Sequence, residues 1–332
     1  MQTFDFPTPS FANTTLPLLT SPLPFRGYEG YWGPVTSTLD WCEENYILTY
    51  YLAELWNSIS NLCFLIWPLT GMYTCWRMRA EKRFYLSYAA LMLVGTGSFL
   101  FHGTLTYAMQ LLDELPMVAA ICVGTYCHLQ MFRTTSIPYL IPALAAAFIG
   151  ICTSYLYLNN PLFFQVSFGL ITFIQAASAL RNVLTLQKTH PYQSTLLARL
   201  LLTGVGAMLL AFGLWTSDQV ACTHLQQQRN MVGYPLRIVM ELHAWWHLLT
   251  GFAGYVSVMG SQYGRALALG REDVRVGLLC GFLPVCVEDG QKWWLPMRIA
   301  GGKSVEGKVQ EVEGRKRVSR KKSLVGADKK RA

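Results

Sequence analysis

Apolar residues in this chain fall into seven long runs separated by short polar connections. The runs cover about 47–74, 84–104, 112–132, 138–157, 162–180, 196–216 and 236–259. Each approaches the ~20 mostly apolar residues that a helix needs to cross a bilayer. Hydrocarbon offers no water to backbone N–H and C=O groups, so spanning segments of this length are expected as helices. The pattern therefore predicts an all-α membrane protein, a seven-transmembrane helix bundle over residues 40–262. Residues 1–39 read as an irregular arm, rich in Pro, Ser and Thr and without the continuous apolar core of a cleavable leader. Residues 263–300 mix apolar and charged positions, with Trp293 and Trp294, and are expected along the interface or in the cytosol.

The connections orient the bundle. Arg77, Arg79, Lys82 and Arg83 follow the first run, Arg133 the third, and Arg181, Lys188 and Arg199 the fifth. With seven spans, all of these share a side with the C-terminus. The positive-inside rule makes that side cytosolic and the N-terminus lumenal. Asn13-Thr14-Thr15 is then a glycosylation acceptor on the lumenal arm.

Composition agrees with a membrane protein: 52% of residues are hydrophobic and 14% charged, against about 25% charged in a soluble domain. The formal charge of +8 is concentrated at one end. Residues 301–332 hold 11 Lys/Arg against 4 Asp/Glu. That is a basic, disordered tail drawn to an anionic leaflet rather than a nucleic-acid surface. It ends Lys329-Lys330-Arg331-Ala332, which resembles a dilysine retrieval signal and predicts residence in the endoplasmic reticulum, with the Golgi as the neighbouring station. Most of the nine cysteines sit in apolar runs, as reduced buried thiols do. Cys42 and Cys222 instead lie in polar stretches.

Polar residues inside apolar runs are costly and mark function. His243 and His247 are four apart and leave one helix face. Ser98 and His102 repeat that spacing in the second run, and Gln110-Leu-Leu-Asp113-Glu114 opens the third. By the side assignment these groups share a lumenal depth. Three histidines with an open position make a catalytic zinc pattern. The spacer in His243-Ala-Trp-Trp-His247 lacks the glutamate of a metalloprotease helix, so a base must come from elsewhere, and Asp113 is the well-placed carboxylate. Ser98 is placed to bond a developing oxyanion. The blander readings are a hydrogen-bonded histidine pair, a capping aspartate and a hydroxyl bonded to its own helix. His128, near the cytosolic end of its helix, and His190 and His224, in connections, look less useful. Near the start, Asp40-x-x-Glu43 reads alone as a capping box opening the first helix.

These residues resemble the alkaline ceramidases. The resemblance is carried by Gly30-Tyr-Trp-Gly-Pro34, Ser37-Thr-Leu-Asp-Trp-Cys-Glu-Glu-Asn-Tyr46, Ala53-Glu-Leu-Trp-Asn57, Gly97-Ser98 to His102, Gln110-Leu-Leu-Asp-Glu-Leu-Pro116 and His243-Ala-Trp-Trp-His-Leu-Leu-Thr-Gly251. It covers about residues 29–263. It implies hydrolysis of the ceramide amide, with zinc on His102, His243 and His247 and catalytic support from Asp113 and Ser98. It implies a calcium site on Asp40, Trp41 through its carbonyl, Glu43, Asn45 and Glu54. A capping box would not explain Glu54, expected one or two turns into the first membrane helix. The family also has a pair matching Cys42 and Cys222, and both lie on the oxidising lumenal side, so a disulfide is expected. The expected partners are the ceramide substrate and the bilayer, with no nucleic acid and no obligate protein partner. Two rivals remain. An adiponectin-receptor-like lipid receptor would signal without depending on Asp113 for turnover, and a haem protein with opposed histidines would show a Soret band.

Overall fold

A computed structural model of the chain describes residues 30–290 and 297–299. Asn13, Trp293, Trp294, the basic tail and its Lys329-Lys330 signal lie outside the described residues. The helices are α1 (Leu55–Ser60), α2 (Cys63–Met78), α3 (Lys82–Thr104), α4 (Tyr107–Leu129), α5 (Leu140–Leu158), α6 (Pro161–Leu186), α7 (Pro191–Val220), α8 (Cys222–Val232) and α9 (Leu242–Ala268). A 3-10 turn, Leu236–Met240, precedes α9. Five of these, α3 to α7, are long and apolar enough to cross a membrane.

Local chemistry starts and stops the helices. Pro161 and Pro191 occupy first-turn positions, where a missing N–H costs nothing. Asn160 caps α6 through its side-chain oxygen, 2.9 Å from Leu162 N. Leu105 ends α3 in the left-handed region at φ 50°.

The first and last apolar runs depart furthest from the sequence pattern. The first helix starts at Leu55, not near 47. Ala53 N and Glu54 N donate to the carbonyls of Gly103 and His102, each at 2.9 Å. The extended chain thus satisfies the last carbonyls of α3 instead of its own helix. Glu54 is therefore the residue before α1, not a residue one or two turns inside it. The last helix starts at Leu242, because Pro235 and the 3-10 turn occupy 235–240, and it runs on to Ala268. Its polar end is paired inside the bundle: Tyr88 Oη donates to Gln262 Oε1 at 3.2 Å, and Arg265 Nε to Glu81 Oε1 at 2.7 Å.

The segment 263–300 also holds a three-stranded antiparallel sheet, order β2-β1-β3, from β1 (Val274–Leu279), β2 (Leu283–Glu288) and β3 (Met297–Ile299). Val276 pairs with Cys286, and Gly277 with Ile299. Val274, Val276, Val285 and Val287 share one apolar cluster with Tyr255, Val256 and Met259 of α9. The sheet is thus folded onto the core around α9 rather than set apart from it.

Candidate metal centre

The site is assembled from the end of α3, the start of α9 and the stretch 40–61. Two glycines let these parts meet. A Cβ at Gly97 would strike the Leu112 carbonyl of α4, and one at Gly251 would meet Cys63 and Phe64 of α2. Ser98 and His102 are thereby held against α4, and His247 against α2.

His102, His243 and His247 each offer a ring nitrogen, and these lie within 4.8 Å of one another. All three residues are at least 96% buried. Two tautomers follow from the partners. His102 Nδ1 lies 2.6 Å from Glu54 Oε2, so with the carboxylate as acceptor Nδ1 carries the proton. Ser60 spends its hydroxyl proton on the Asn57 carbonyl, so at 2.8 Å it accepts from His247 Nδ1. Both rings then keep Nε2 as a bare lone pair. Nε2 of His102 and Nδ1 of His243 are buried without any partner among the described residues. Ring nitrogens gathered this closely, two of them orphaned, with His102 and His247 each held from behind by a hydrogen bond, are what a bound zinc ion requires. The residues fit the ion.

The outer partners were the part the sequence did not reveal. The indole of Trp41 stacks on the His243 ring at 3.9 Å and 20°. Asp218, at the end of α7, accepts from the His243 backbone N–H and from Cys42 N at 3.3 Å. It therefore caps α9 where its first histidine stands. Fully buried Arg229 of α8 pairs with Glu241 and donates to the Cys42 carbonyl at 2.6 Å. Neither Asp218 nor Arg229 sits in a spacing that advertises this, because each contact joins residues far apart in sequence. The Cys42–Cys222 disulfide is present, with Cα atoms 5.3 Å apart, and ties the same stretch to α8.

Ser98 is buried one turn before His102, and its hydroxyl bonds the Asp113 carboxyl. The neighbouring Glu114 faces another way, accepting from Tyr155 Oη at 2.5 Å.

The acidic stretch gathers most, but not all, of its expected group. Asn45 Nδ2 lies 3.2 Å from Asp40 Oδ1, Asp40 bonds Glu54, and Trp41 N donates to Glu54 Oε1 at 3.2 Å. Glu43 is turned the other way. Its two oxygens accept from Trp56 N and Asn57 N, each at 2.8 Å, so it caps α1 from a distance rather than as a local capping box. Burial, and after it the Glu54 carboxylate, pushes Glu43 up to about 8, and burial raises Asp40. Crowded carboxyls of this kind take up either protons or a cation. Asn45 Oδ1 is buried without a partner among the described residues, an oxygen left for a hard cation such as calcium. Glu54 belongs to both groups, with one oxygen on Trp41 and the other on His102.

The sequence model of the ceramidase family matches residues 33–284. The chain is similar to alkaline ceramidase 3 of Mus musculus, 41% identical over 266 residues, which are 80% of this chain and 97% of that protein. It is similar to alkaline ceramidase YPC1 of Saccharomyces cerevisiae, 33% identical over 261 residues, 74% of this chain and 82% of that one. An alkaline ceramidase of Arabidopsis thaliana is 29% identical over 265 residues, 78% and 95% of the two chains.

Proposed function

The chain belongs to the ceramidase family, and on that premise we propose a zinc-dependent, calcium-supported membrane hydrolase that splits the N-acyl amide of ceramides into a sphingoid base and a fatty acid. The observation that carries the zinc reading is the buried histidine trio with its unpartnered ring nitrogens, one turn from a Ser98–Asp113 pair. His102, His243 and His247 hold the ion. When bound, zinc acidifies water and polarises the amide carbonyl. The protein's own groups do the rest. Asp113 takes the proton of the attacking water and returns it to the leaving nitrogen. Ser98 orients Asp113 and faces the oxygen on which charge develops. Glu54 and Ser60 fix the tautomers of His102 and His247. Asp40, Asn45, Glu54 and the Trp41 carbonyl offer calcium its oxygens, and Glu43, held on the start of α1, stands beside them. Because Glu54 also bonds His102, calcium occupancy steadies a zinc ligand. The test is fatty-acid release by purified protein from dihydro-, phyto- and unsaturated ceramides, with and without a calcium chelator. Release that falls on chelation is expected. No release from any ceramide sinks the hydrolase reading, and release indifferent to calcium sinks the calcium part.

The same reading counts α1 with α2 as one pass and α3, α4, α5, α6, α7 and α9 as six more, with the N-terminus lumenal. The arginines and lysines of the alternate connections support that orientation. The dilysine-like end supports residence in the endoplasmic reticulum. Replacing Lys329 and Lys330 by serine is expected to let the protein escape to later compartments, and an unchanged distribution by microscopy refutes the signal.

A further inference from the structure

The three histidines of the candidate centre are not held alike. His102 gives a proton to Glu54, with Nδ1 2.6 Å from Oε2, and His247 gives one to Ser60 at 2.8 Å. A histidine bound to a metal almost always donates its other N–H to such an acceptor, which fixes the orientation of the ring. His243 is the exception. The residue is 3% exposed, yet Nδ1 is buried without a partner and no hydrogen bond holds Nε2 among the described residues. Its backbone N–H is taken by Asp218. That bond fixes where α9 starts but leaves the ring free to swing about Cβ–Cγ, a torsion with a broad minimum.

The indole of Trp41 lies flat on this ring. The two centroids are 3.9 Å apart and the planes 20° from parallel. His102 and His247 meet the same ring at 51° and 83°, so of these neighbours only the indole is stacked on it. The indole is held in turn. Trp215 of α7 packs against it with centroids 6.0 Å apart, and Phe212, one turn earlier, stacks on Trp215 at 5.7 Å. The backbone that carries the indole is pinned as well. Trp41 N donates to Glu54 Oε1 at 3.2 Å, and Cys42, the next residue, is fixed by Asp218, Arg229 and the disulfide. Filling the space beside His243 would need only an apolar side chain. It would not need a planar face nearly parallel to the imidazole, carried on a backbone tied down this thoroughly.

We propose that Trp41 is the positioning residue of the third metal ligand: its indole face, in place of a hydrogen-bond acceptor, sets the angle at which the His243 ring meets the ion. The inference rests on the zinc reading above. Flat contact between two rings restricts the Cβ–Cγ rotation that nothing else on His243 restrains. It also divides labour within one residue. The backbone of Trp41 belongs to the acidic group, and its side chain belongs to the histidines. Replacing the side chain therefore leaves the carbonyl offered to calcium in place.

The test replaces Trp41 by Phe, which keeps an aromatic face, and by Leu and Met, which fill space without one. All variants are measured at saturating calcium. Zinc affinity is read by competition with a chromophoric chelator, and the geometry of the centre by the visible d–d bands of cobalt put in place of zinc. Trp41→Leu and Trp41→Met are expected to lose at least about tenfold in zinc affinity, the lower end for an outer partner of a metal-bound histidine. Their cobalt bands should shift or weaken. Their kcat should fall while KM for ceramide holds, because the indole acts on a ligand and not on the lipid. Trp41→Phe should recover most of the affinity and the native cobalt spectrum. Native affinity and native cobalt bands in the Leu and Met variants overturn the proposal. So does a Phe variant as impaired as they are, and so does a raised KM with zinc binding intact, which would place Trp41 on the substrate instead. Should neither aliphatic variant fold, the ring protons of His243 in histidine-labelled native protein decide, assigned by their loss in His243→Ala. Upfield positions caused by the indole ring current uphold the stack, and ordinary positions refute it. A native protein that takes up neither zinc nor cobalt strikes the zinc reading, and this proposal falls with it.

Discussion

His243→Ala is expected to empty the centre of zinc and to reduce ceramide turnover to near background. Outer partners of metal-binding histidines alone are worth about 10–100-fold in metal affinity or activity, so losing one of three first ligands should cost more than about a hundredfold. The structure makes this variant a clean one. His243 contributes its ring to the trio, but its backbone N–H to Asp218. Alanine keeps that N–H, so the cap at the start of α9 survives and the loss falls on the imidazole. Asp218→Asn is the companion. It weakens the cap while leaving all three rings, and should retain much more zinc than His243→Ala. Zinc by elemental analysis and fatty-acid release are read on the same purified samples. A His243→Ala protein that keeps stoichiometric zinc and wild-type turnover removes the trio as the metal centre.

Glu54→Gln probes the link between the two groups. Glutamine has a single acceptor oxygen, so when that oxygen accepts from Trp41 N, its NH2 faces His102 Nδ1 and cannot accept the ring's proton. The expected loss is intermediate and falls on calcium response and zinc retention together. The contrast between His243 and Glu54 reflects what a linear sequence can display. Four-residue spacing brings His243 and His247 to one face wherever the helix lies, so the pair is visible before any fold is known. His102 is visible with them because long apolar runs fix its depth. Glu54 is visible in the sequence as an anomaly, an acid inside the first apolar run, but not as the partner of His102. That contact needs the extended chain at 53–54 to hydrogen-bond the end of α3, forty-eight residues on. Asp218, Arg229 and the Trp41 stack are hidden for the same reason. The sheet is a different case. Val-Arg-Val-Gly-Leu-Leu and Leu-Pro-Val-Cys-Val-Glu do carry strand-like alternation. Runs that short do not distinguish a strand from the edge of a helix, and the burial that selects the strand comes from α9.

Asp113→Asn is expected to keep substantial zinc and still lose at least about a hundredfold in turnover, since general acid–base assistance is typically worth ~10²–10⁴-fold. Asp113 is not one of the three converging ligands, so its replacement leaves the metal's donors in place. Asparagine has nearly the same size and can still accept from the Ser98 hydroxyl, which holds the carboxyl in the native protein. What it lacks is a group able to take a proton from water and return it to the leaving nitrogen. Ser98→Ala then separates two roles. Losing a donor to a developing oxyanion costs on the order of 10²–10³-fold, and losing only the orientation of Asp113 costs less. If Ser98 works through Asp113, the double variant should be no slower than Asp113→Asn alone. If Ser98 also bonds the substrate oxygen, the two losses should compound, because effects add only for groups acting independently. Zinc content of all three variants is measured beside their rates. An Asp113→Asn protein that turns over ceramide at close to the wild-type rate would exclude Asp113 as the base, and the proton would then have to pass through another group at the centre.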